Sequence, residues 1–345
     1  MNILIYSNMY PSDEIPYGGV FVKNQYEYLK VNFIEHRFSI KAMRRTRTGF
    51  FGSMYKYFMF IFTSLPYLFS KYDVVHIHYF SFHFFFGVLY KLCHINTTII
   101  LTLHGSDVNM FSENKIIRKF VNSLFRLMEL KTICVGNKLS ENYFYKFNLR
   151  ADHILAAGVD EEVFFKKESV EKIYDLIFVG TFSELKGVDL LCDAIKSSRQ
   201  DHKWCFIGTG PYSEKLMKMS EEFNIDVFAG LKQNEIADKL NQSKYFILLS
   251  RSEGFPLASL EALYCGVPVI CSDLDQFKEQ VKDNYNGFII NSSDINRINE
   301  SITQALSVEE RIYKELSYNA SVTNKEFSLK RVCEELMITY KNKRI

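Results

Sequence analysis

Two glutamates, Glu253 and Glu261, stand eight positions apart within Ser250-Arg251-Ser252-Glu253-Gly254-Phe255-Pro256-Leu257-Ala258-Ser259-Leu260-Glu261-Ala262-Leu263-Tyr264-Cys265-Gly266-Val267-Pro268-Val269-Ile270. An apolar strand ends at Leu249 and a glycine-bearing turn follows. Pro256 suits a first helical position, where its missing N–H costs nothing, and Gly266 marks the helix stop. A helix N-terminus, with unpaired N–H groups and a positive dipole end, therefore lies at the carboxyl end of a strand. An anion such as a diphosphate is favoured there. Glu253 falls on the loop before that N-terminus, and Glu261 two turns inside the helix. A second constellation is Phe178-Val179-Gly180-Thr181-Phe182-Ser183-Glu184-Leu185-Lys186-Gly187-Val188-Asp189-Leu190-Leu191. A strand ends at Gly180, the loop carries Lys186, and a helix begins, so the lysine sits over a sheet edge where it can neutralise a departing anion.

Further candidates come from the first half. Gly18-Gly19 precede a helix after Tyr10-Pro11, and paired glycines let backbone amides approach an anion closely. His104, in Thr102-Leu103-His104-Gly105-Ser106-Asp107, ends a strand and can hydrogen-bond a hydroxyl or a phosphate. His76 and His78 alternate on one strand and share a face, but no third ligand has suitable spacing. They read as partly buried structural histidines. Asp273-Leu274-Asp275 has the form of a metal-binding pair of aspartates, yet it opens a helical segment, where helix capping explains it. No metal site is predicted.

The elements that must position these residues alternate short apolar strands with helix-length periodic segments, the pattern of parallel sheets with crossover helices. In the first half strands are predicted near 2–6, 73–78, 98–103, 132–135 and 154–155, with helices near 20–30, 54–69, 81–92, 116–129 and 139–147. A second series has strands near 174–179, 204–207, 226–228, 245–249, 267–271 and 287–290, and helices near 188–197, 212–222, 233–242, 257–265 and 277–282. The fold class is α/β, with a domain 1–165, a domain 166–325, and a final helix within 326–345 that crosses back onto the first. Two domains suit 345 residues.

The Glu253/Glu261 spacing in its Glu-Gly-Phe-Pro setting resembles the donor site of glycosyltransferase family 4, above all the bacterial members that build surface polysaccharides. The resemblance spans nearly the whole chain and is strongest over 173–290. It implies the GT-B fold, two Rossmann-like domains facing a cleft, and transfer of a sugar from a nucleoside diphosphate to a hydroxyl with retention of configuration. It implies that Glu253 contacts the transferred sugar, that Glu261 accepts hydrogen bonds from the ribose diol, and that Gly19 offers its amide to the donor phosphates. Gly180, Gly254, Phe255, Pro256 and Leu257 complete the donor site, and His104 lines the acceptor side. The chain departs from the family at Thr181, where an arginine usually partners the lysine, and Arg251 is a candidate substitute. It also has Ala156-Ala157-Gly158-Val159-Asp160 where Pro-Asn-Gly commonly precedes Val-Asp. These departures keep open a non-catalytic member that binds a nucleotide sugar or a partner transferase. A nicotinamide-dependent oxidoreductase is excluded because Ser7-Asn8-Met9-Tyr10-Pro11 replaces the glycine fingerprint after the first strand.

Composition adds a locality. Residues 1–165 carry a balance of +5 and the remainder −3. No acid stands between Glu35 and Asp73, while Arg44, Arg45, Arg47 and Lys56 interleave with Phe50, Phe51, Tyr55, Tyr57 and Phe58. Cations among aromatics suit an anionic lipid interface, which a lipid-linked acceptor would require. Nucleic acid is not expected, for no recognised binding module accompanies the charge. Seven dispersed cysteines suggest neither disulfides nor zinc and point to a reducing, cytoplasmic setting. No cofactor beyond the nucleotide-sugar donor is expected.

Overall fold

Consecutive parallel strands require crossover connections, and the chain meets that requirement twice. The computed structural model describes residues 1–12, 15, 18–44, 50–112, 115–198, 201–292 and 294–342. Among these, β1 (Asn2–Tyr10), β2 (Arg37–Arg44), β3 (Val74–His78), β4 (Thr98–Leu103), β5 (Lys131–Cys134) and β6 (His153–Ile154) form one sheet. Its order is β2-β1-β3-β4-β5-β6, and every pairing is parallel. A second parallel sheet holds β7 (Tyr174–Val179), β8 (Trp204–Ile207), β9 (Ile225–Phe228), β10 (Ser243–Leu248), β11 (Val269–Ser272) and β12 (Gly287–Ile290). Its order is β12-β11-β10-β7-β8-β9. Strand order reverses between β1 and β3 in the first sheet and between β7 and β10 in the second. Crevices beyond the carboxyl ends at such reversals are where doubly wound sheets take ligands.

The chain divides into two compact units, Met1–Gly158 with Leu329–Ile345, and Val159–Ser328. Both limits differ from the predicted 165/166 and 325/326. Residues 159–165 join the second unit because the Val159 amide donates to the Phe327 carbonyl at 2.8 Å and Phe164 is buried in that unit's core. The helix Leu329–Lys341 belongs to the first unit. Its Val332, Leu336 and Tyr340 pack with Ile3 and Ile5 of β1 and with Val22 and Leu29 of the helix Val20–Asn32. Gly158, at φ +84°, lets the chain pass Leu329, whose Cα would lie 3.1 Å from an added Cβ.

Alternation along β1 sends Tyr6 to the opposite face. There it stacks on Phe60 at 5.0 Å and Phe86 at 4.4 Å, so the helices Phe50–Phe62 and Phe84–Cys93 cover that side. The helix predicted over 54–69 is two elements, Phe50–Phe62 and a 3₁₀ turn Leu65–Phe69. Pro66, which cannot donate a helical hydrogen bond, is the second residue of that turn, and the helix ends before it. β2 was not predicted; it is an edge strand with basic side chains, of which Phe38 alone is buried. The helices Ser106–Ser112, Ile295–Leu306 and Glu310–Val322 were also unforeseen. In the second sheet Ile177, Phe246, Ile247 and Ile270 are fully buried, as strands covered on both faces must be.

Candidate functional site

At the reversal of the second sheet, the loop after β7 and the loop after β10 are drawn into contact. Gly187, at φ +71°, starts the helix Val188–Ser197, and an added Cβ would lie 2.1 Å from the Leu249 carbonyl oxygen. Only glycine permits both that dihedral and that approach. The Arg251 amide donates to the Leu185 carbonyl at 2.9 Å. Above this backbone contact Lys186 Nζ donates to both carboxylate oxygens of Glu253, at 2.6 and 2.7 Å. Ser250 Oγ donates to Glu253 Oε1 at 2.6 Å, and Ser272 Oγ holds the Ser250 carbonyl at 2.7 Å. The Glu253 side chain is only 6% exposed. A carboxylate this buried needs its cation, because an uncompensated charge there is strongly destabilising.

Arg251 does not stand free beside Lys186. Its guanidinium forks onto Asp189 at 2.8 and 2.6 Å and also donates to the Glu184 carbonyl. Burial opposes ionisation of Asp189, but the hydrogen bonds from Arg251 outweigh it and hold the carboxyl below its ordinary range. Arg251 is thus already engaged by Asp189 in this structure, and Thr181 is exposed.

Glu261 contrasts with Glu253. It lies inside the helix Leu257–Tyr264, half-buried, and its carboxylate has no hydrogen bond or ion pair among the described residues. Burial pushes it up to about 8. Pro256 is the residue before the helix, with extended backbone, so the helix starts at Leu257 and not at the proline. Gly254 and Leu257 are half-buried, and the Phe255 ring meets Phe327 edge-on at 5.2 Å. Gly180 donates to the Ile207 carbonyl at 3.0 Å, and Gly208 approaches it so closely that a Cβ there would lie 1.9 Å from the Gly180 oxygen.

The first sheet carries Gly19 and His104 at its carboxyl edge. Gly19, at φ +79°, precedes the helix Val20–Asn32, and an added Cβ would lie 2.7 Å from the Met9 carbonyl carbon. His104 follows β4. Burial pushes its ring down to about 4, with Asp107 acting against that shift, and its Nε2 has no partner among the described residues. His78 lies 5.8 Å from His104 and 4.2 Å from His76, ring centre to ring centre. His76 is satisfied by the Tyr340 and Thr102 hydroxyls, each at 2.7 Å, as a structural histidine should be. Neither nitrogen of His78 has a partner among the described residues. The three rings line a cavity of about 10 Å³ with Phe21 and Gln25.

Asp273 and Asp275 do not cap a helix. Both face Lys278, at 2.7 and 3.5 Å, and Leu274 occupies the capping position.

Sequence reasoning missed the residues that hold the candidates in place. Asp107, fully buried, accepts from the amides of Phe80, His104, Gly105 and Val108, so it fixes the His104 loop. Ser250 fixes Glu253. A carboxylate three residues after His104 and a hydroxyl three before Glu253 were visible signals, since such side chains habitually bond nearby backbone or turn partners.

Comparison with known proteins supplies independent findings. Residues 159–322 match the family model described as glycosyl transferases group 1. Over 279 residues the chain is 30% identical to an uncharacterized glycosyltransferase of Methanocaldococcus jannaschii, covering 76% of each chain. Among solved structures, sucrose-phosphate synthase of Thermosynechococcus elongatus superimposes with a TM-score of 0.76 at 14% identity, covering 99% of this chain and 98% of its own. Anabaena HepE, solved with UDP and glucose, superimposes with a TM-score of 0.75 at 13% identity, covering 98% and 99%. At such identities the structural likeness shows the fold alone.

Proposed function

As the chain belongs to the glycosyl transferases of group 1 and has their GT-B fold, we propose that it moves a sugar from a nucleoside diphosphate to a hydroxyl of a lipid-linked or glycan acceptor. The product is a cell-surface polysaccharide of the O-antigen, capsule or lipopolysaccharide kind, and the protein works peripherally at the inner face of the cytoplasmic membrane. The observation that carries the donor reading is the carboxyl edge of the second sheet. There a lysine on the loop after β7 pairs with a buried glutamate on the loop before the helix Leu257–Tyr264, and a second glutamate, without a partner among the described residues, lies inside that helix.

In this mechanism the Lys186–Glu253 pair opens when the donor arrives. Lys186 turns to the diphosphate and meets the charge that grows as it leaves. Glu253, still held by Ser250, orients the sugar. Glu261 accepts from the ribose diol, and the helix N-terminus before Leu257 faces the phosphates. Gly19 adds a backbone amide, and His104 serves the acceptor. No residue stands out as a covalent nucleophile, so the acceptor attacks on the face from which the diphosphate departs, with retention. Neither a metal nor a cofactor beyond the donor takes part, so a chelator should leave the rate unchanged.

Thermal stabilisation across a panel of nucleoside diphosphates tests the reading, since a ligand at ~100 times its dissociation constant stabilises by ~2.7 kcal/mol. A panel with no stabilising member would sink it. A second reading, a nucleotide-sugar-binding member without turnover, is favoured by Thr181 and by the engagement of Arg251 with Asp189. Tight donor binding with no nucleotide released to any native acceptor would select it.

A further inference from the structure

The aromatic excess of the chain, 31 Phe and 21 Tyr, is not used up by the core. On the helix Phe50–Phe62, Tyr55, Phe58 and Phe62 are 66%, 65% and 57% exposed. They follow one stripe, and the Phe58 and Phe62 rings stack at 6.3 Å. On the neighbouring helix Phe84–Cys93 the inward side is Phe84, Phe86 and Tyr90, while Phe85, Leu89 and Leu92 point outward. Both helices cover the same face of the sheet, because Phe60 from one and Phe86 from the other flank Tyr6. Between them the turn Leu65–Phe69 is tied to the second helix. The Tyr90 hydroxyl donates to the Ser70 carbonyl and the His94 ring to the Leu68 carbonyl, each at 2.7 Å. Phe69, between those tethers, is 88% exposed. The outer side of this layer is therefore an apolar ridge.

Its charge is equally one-sided. From Glu35 to Asp107 the sole intervening acid is Asp73, against eight Lys and Arg. Asp73 accepts from the Asn2 amide at 2.7 Å. Lys41 lies beside the Phe60 and Tyr67 rings, and Lys71 is exposed next to the turn. Arg45 and Arg47 lie outside the described residues.

We propose that this ridge is the face by which the protein seats on an anionic lipid bilayer, with Phe58, Phe62, Phe69, Phe85, Leu89 and Leu92 entering the headgroup–acyl boundary. The inference rests on the reading that the acceptor is met at a membrane, and it assigns the surface that meets it. No helix of the described residues is long and apolar enough to cross a bilayer, so the two helices lie in the interface plane, as amphipathic helices do. A second copy of the chain is the poorer occupant. A twofold interface sets each patch against itself, which would oppose cations to cations, whereas anionic headgroups complement them.

Flotation with phosphatidylglycerol–phosphatidylcholine vesicles tests the assignment. The wild type should float with the mixed vesicles and much less with phosphatidylcholine alone. High salt should weaken but not abolish binding, because the apolar part is unscreened. F58S/F62S and F85S/L89S should each lower the bound fraction about tenfold or more with an unchanged melting curve. Phe62→Trp, added to the buried Trp204, should shift its emission to the blue on mixing with vesicles, a readout that survives even if a double variant folds poorly. The proposal is overturned if the wild type stays unbound at low salt, if the double variants float like wild type, or if they merely convert a dimer to a monomer. Stabilisation by the cognate nucleoside diphosphate should be the same in F58S/F62S and wild type. A protein that floats yet takes no nucleotide keeps this inference and ends the donor reading.

Discussion

The carboxyl edges of the two sheets are built by one topological rule and furnished in opposite ways. At the edge of the second sheet the polar groups are ionic, and most are tied to one another: Lys186 to Glu253, Arg251 to Asp189. At the edge of the first, the Asp107 carboxylate is spent on backbone amides, and three buried imidazoles, in part unpartnered among the described residues, line a cavity large enough for about one water. Burial drives His76 down to about 3 and His104 down to about 4, so these rings stay uncharged through the physiological range. Ion pairs between side chains mark the one edge, and buried imidazoles the other.

The largest expected effect comes from breaking the ionic edge. Lys186→Ala should lower the transfer rate by about 10²–10³, corresponding to ~2.7–4 kcal/mol of barrier, because its contact strengthens as the diphosphate leaves. It also strips Glu253 of its cation, so the melting temperature should fall. Glu253→Ala should suppress transfer with little change in nucleotide affinity, since its partner is the sugar. The measurement is nucleoside diphosphate release with a membrane extract supplying acceptor. Equal activity in wild type and Lys186→Ala would remove the edge from catalysis.

Glu261 gives the next effect and sharpens the contrast through pH. Glu261→Ala should weaken nucleoside diphosphate binding by ~0.5–1.5 kcal/mol, the net worth of a hydrogen bond to a carboxyl that holds its proton at neutral pH. Unchanged affinity by calorimetry would take it out of the site. Its folded pKa of about 8 lies above the ordinary 4.5. From pH 4.5 to about 8 the folded state therefore holds a proton that the unfolded state has lost, and stability falls as pH rises. Glu261→Gln should abolish that trend and stabilise the protein increasingly towards pH 8, by ~3 kcal/mol near neutrality.

The buried histidines run the other way. His76, His83 and His104 have folded values of about 3, 4 and 4 against an ordinary 6.5. Their stability is full above 6.5 and is lost as pH falls towards 4, where the unfolded state binds more protons. Calorimetry of the first unit's transition should show destabilisation on acidification from pH 6.5 to 5. A transition that is flat over this window would mean that the rings are hydrated in solution.

How far the sequence disclosed this contrast varies with the kind of signal. Strands such as Tyr174–Val179 and Trp204–Ile207 were legible to the residue, because buried parallel strands are short unbroken apolar runs bounded by glycine or polar turns. β2 was not. An edge strand carrying Arg37, Lys41 and Arg44 offers neither a run nor a clean alternation, and basic residues are a common way of blunting an edge. The helix Ile295–Leu306 buries only Ile298, Ile302 and Ala305, too few to stand out from a polar stretch. In the candidate site, the identities of Lys186, Glu253 and Glu261 could be read from motif context. The bond between the first two could not, for they lie 67 residues apart and meet only because β7 and β10 are neighbours.

The smallest predicted effect decides what replaces the absent arginine at Thr181. If Arg251 were the second cation for the diphosphate, its loss would cost the transition state nearly what loss of Lys186 costs. The geometry argues for less. Arg251 already has a carboxylate partner in fork geometry and a backbone carbonyl besides, and moving to a diphosphate would leave Asp189 without its counter-ion. The pair is also half in solvent, with Arg251 46% and Asp189 22% exposed, so screening limits its contribution to stability to ~0.2–1 kcal/mol. Its role is to pin the loop after β10 onto the loop after β7, so that Ser250 and Glu253 are held in place. Arg251→Ala should therefore reduce the transfer rate by less than about tenfold, ~1.4 kcal/mol, with a small fall in melting temperature and little change in nucleotide affinity. Asp189→Asn, which weakens the same pair from the other side, should give a similar small loss. A hundredfold fall in Arg251→Ala beside a near-normal Asp189→Asn would show that the guanidinium leaves its carboxylate for the donor, and the ionic edge would then work with two cations after all.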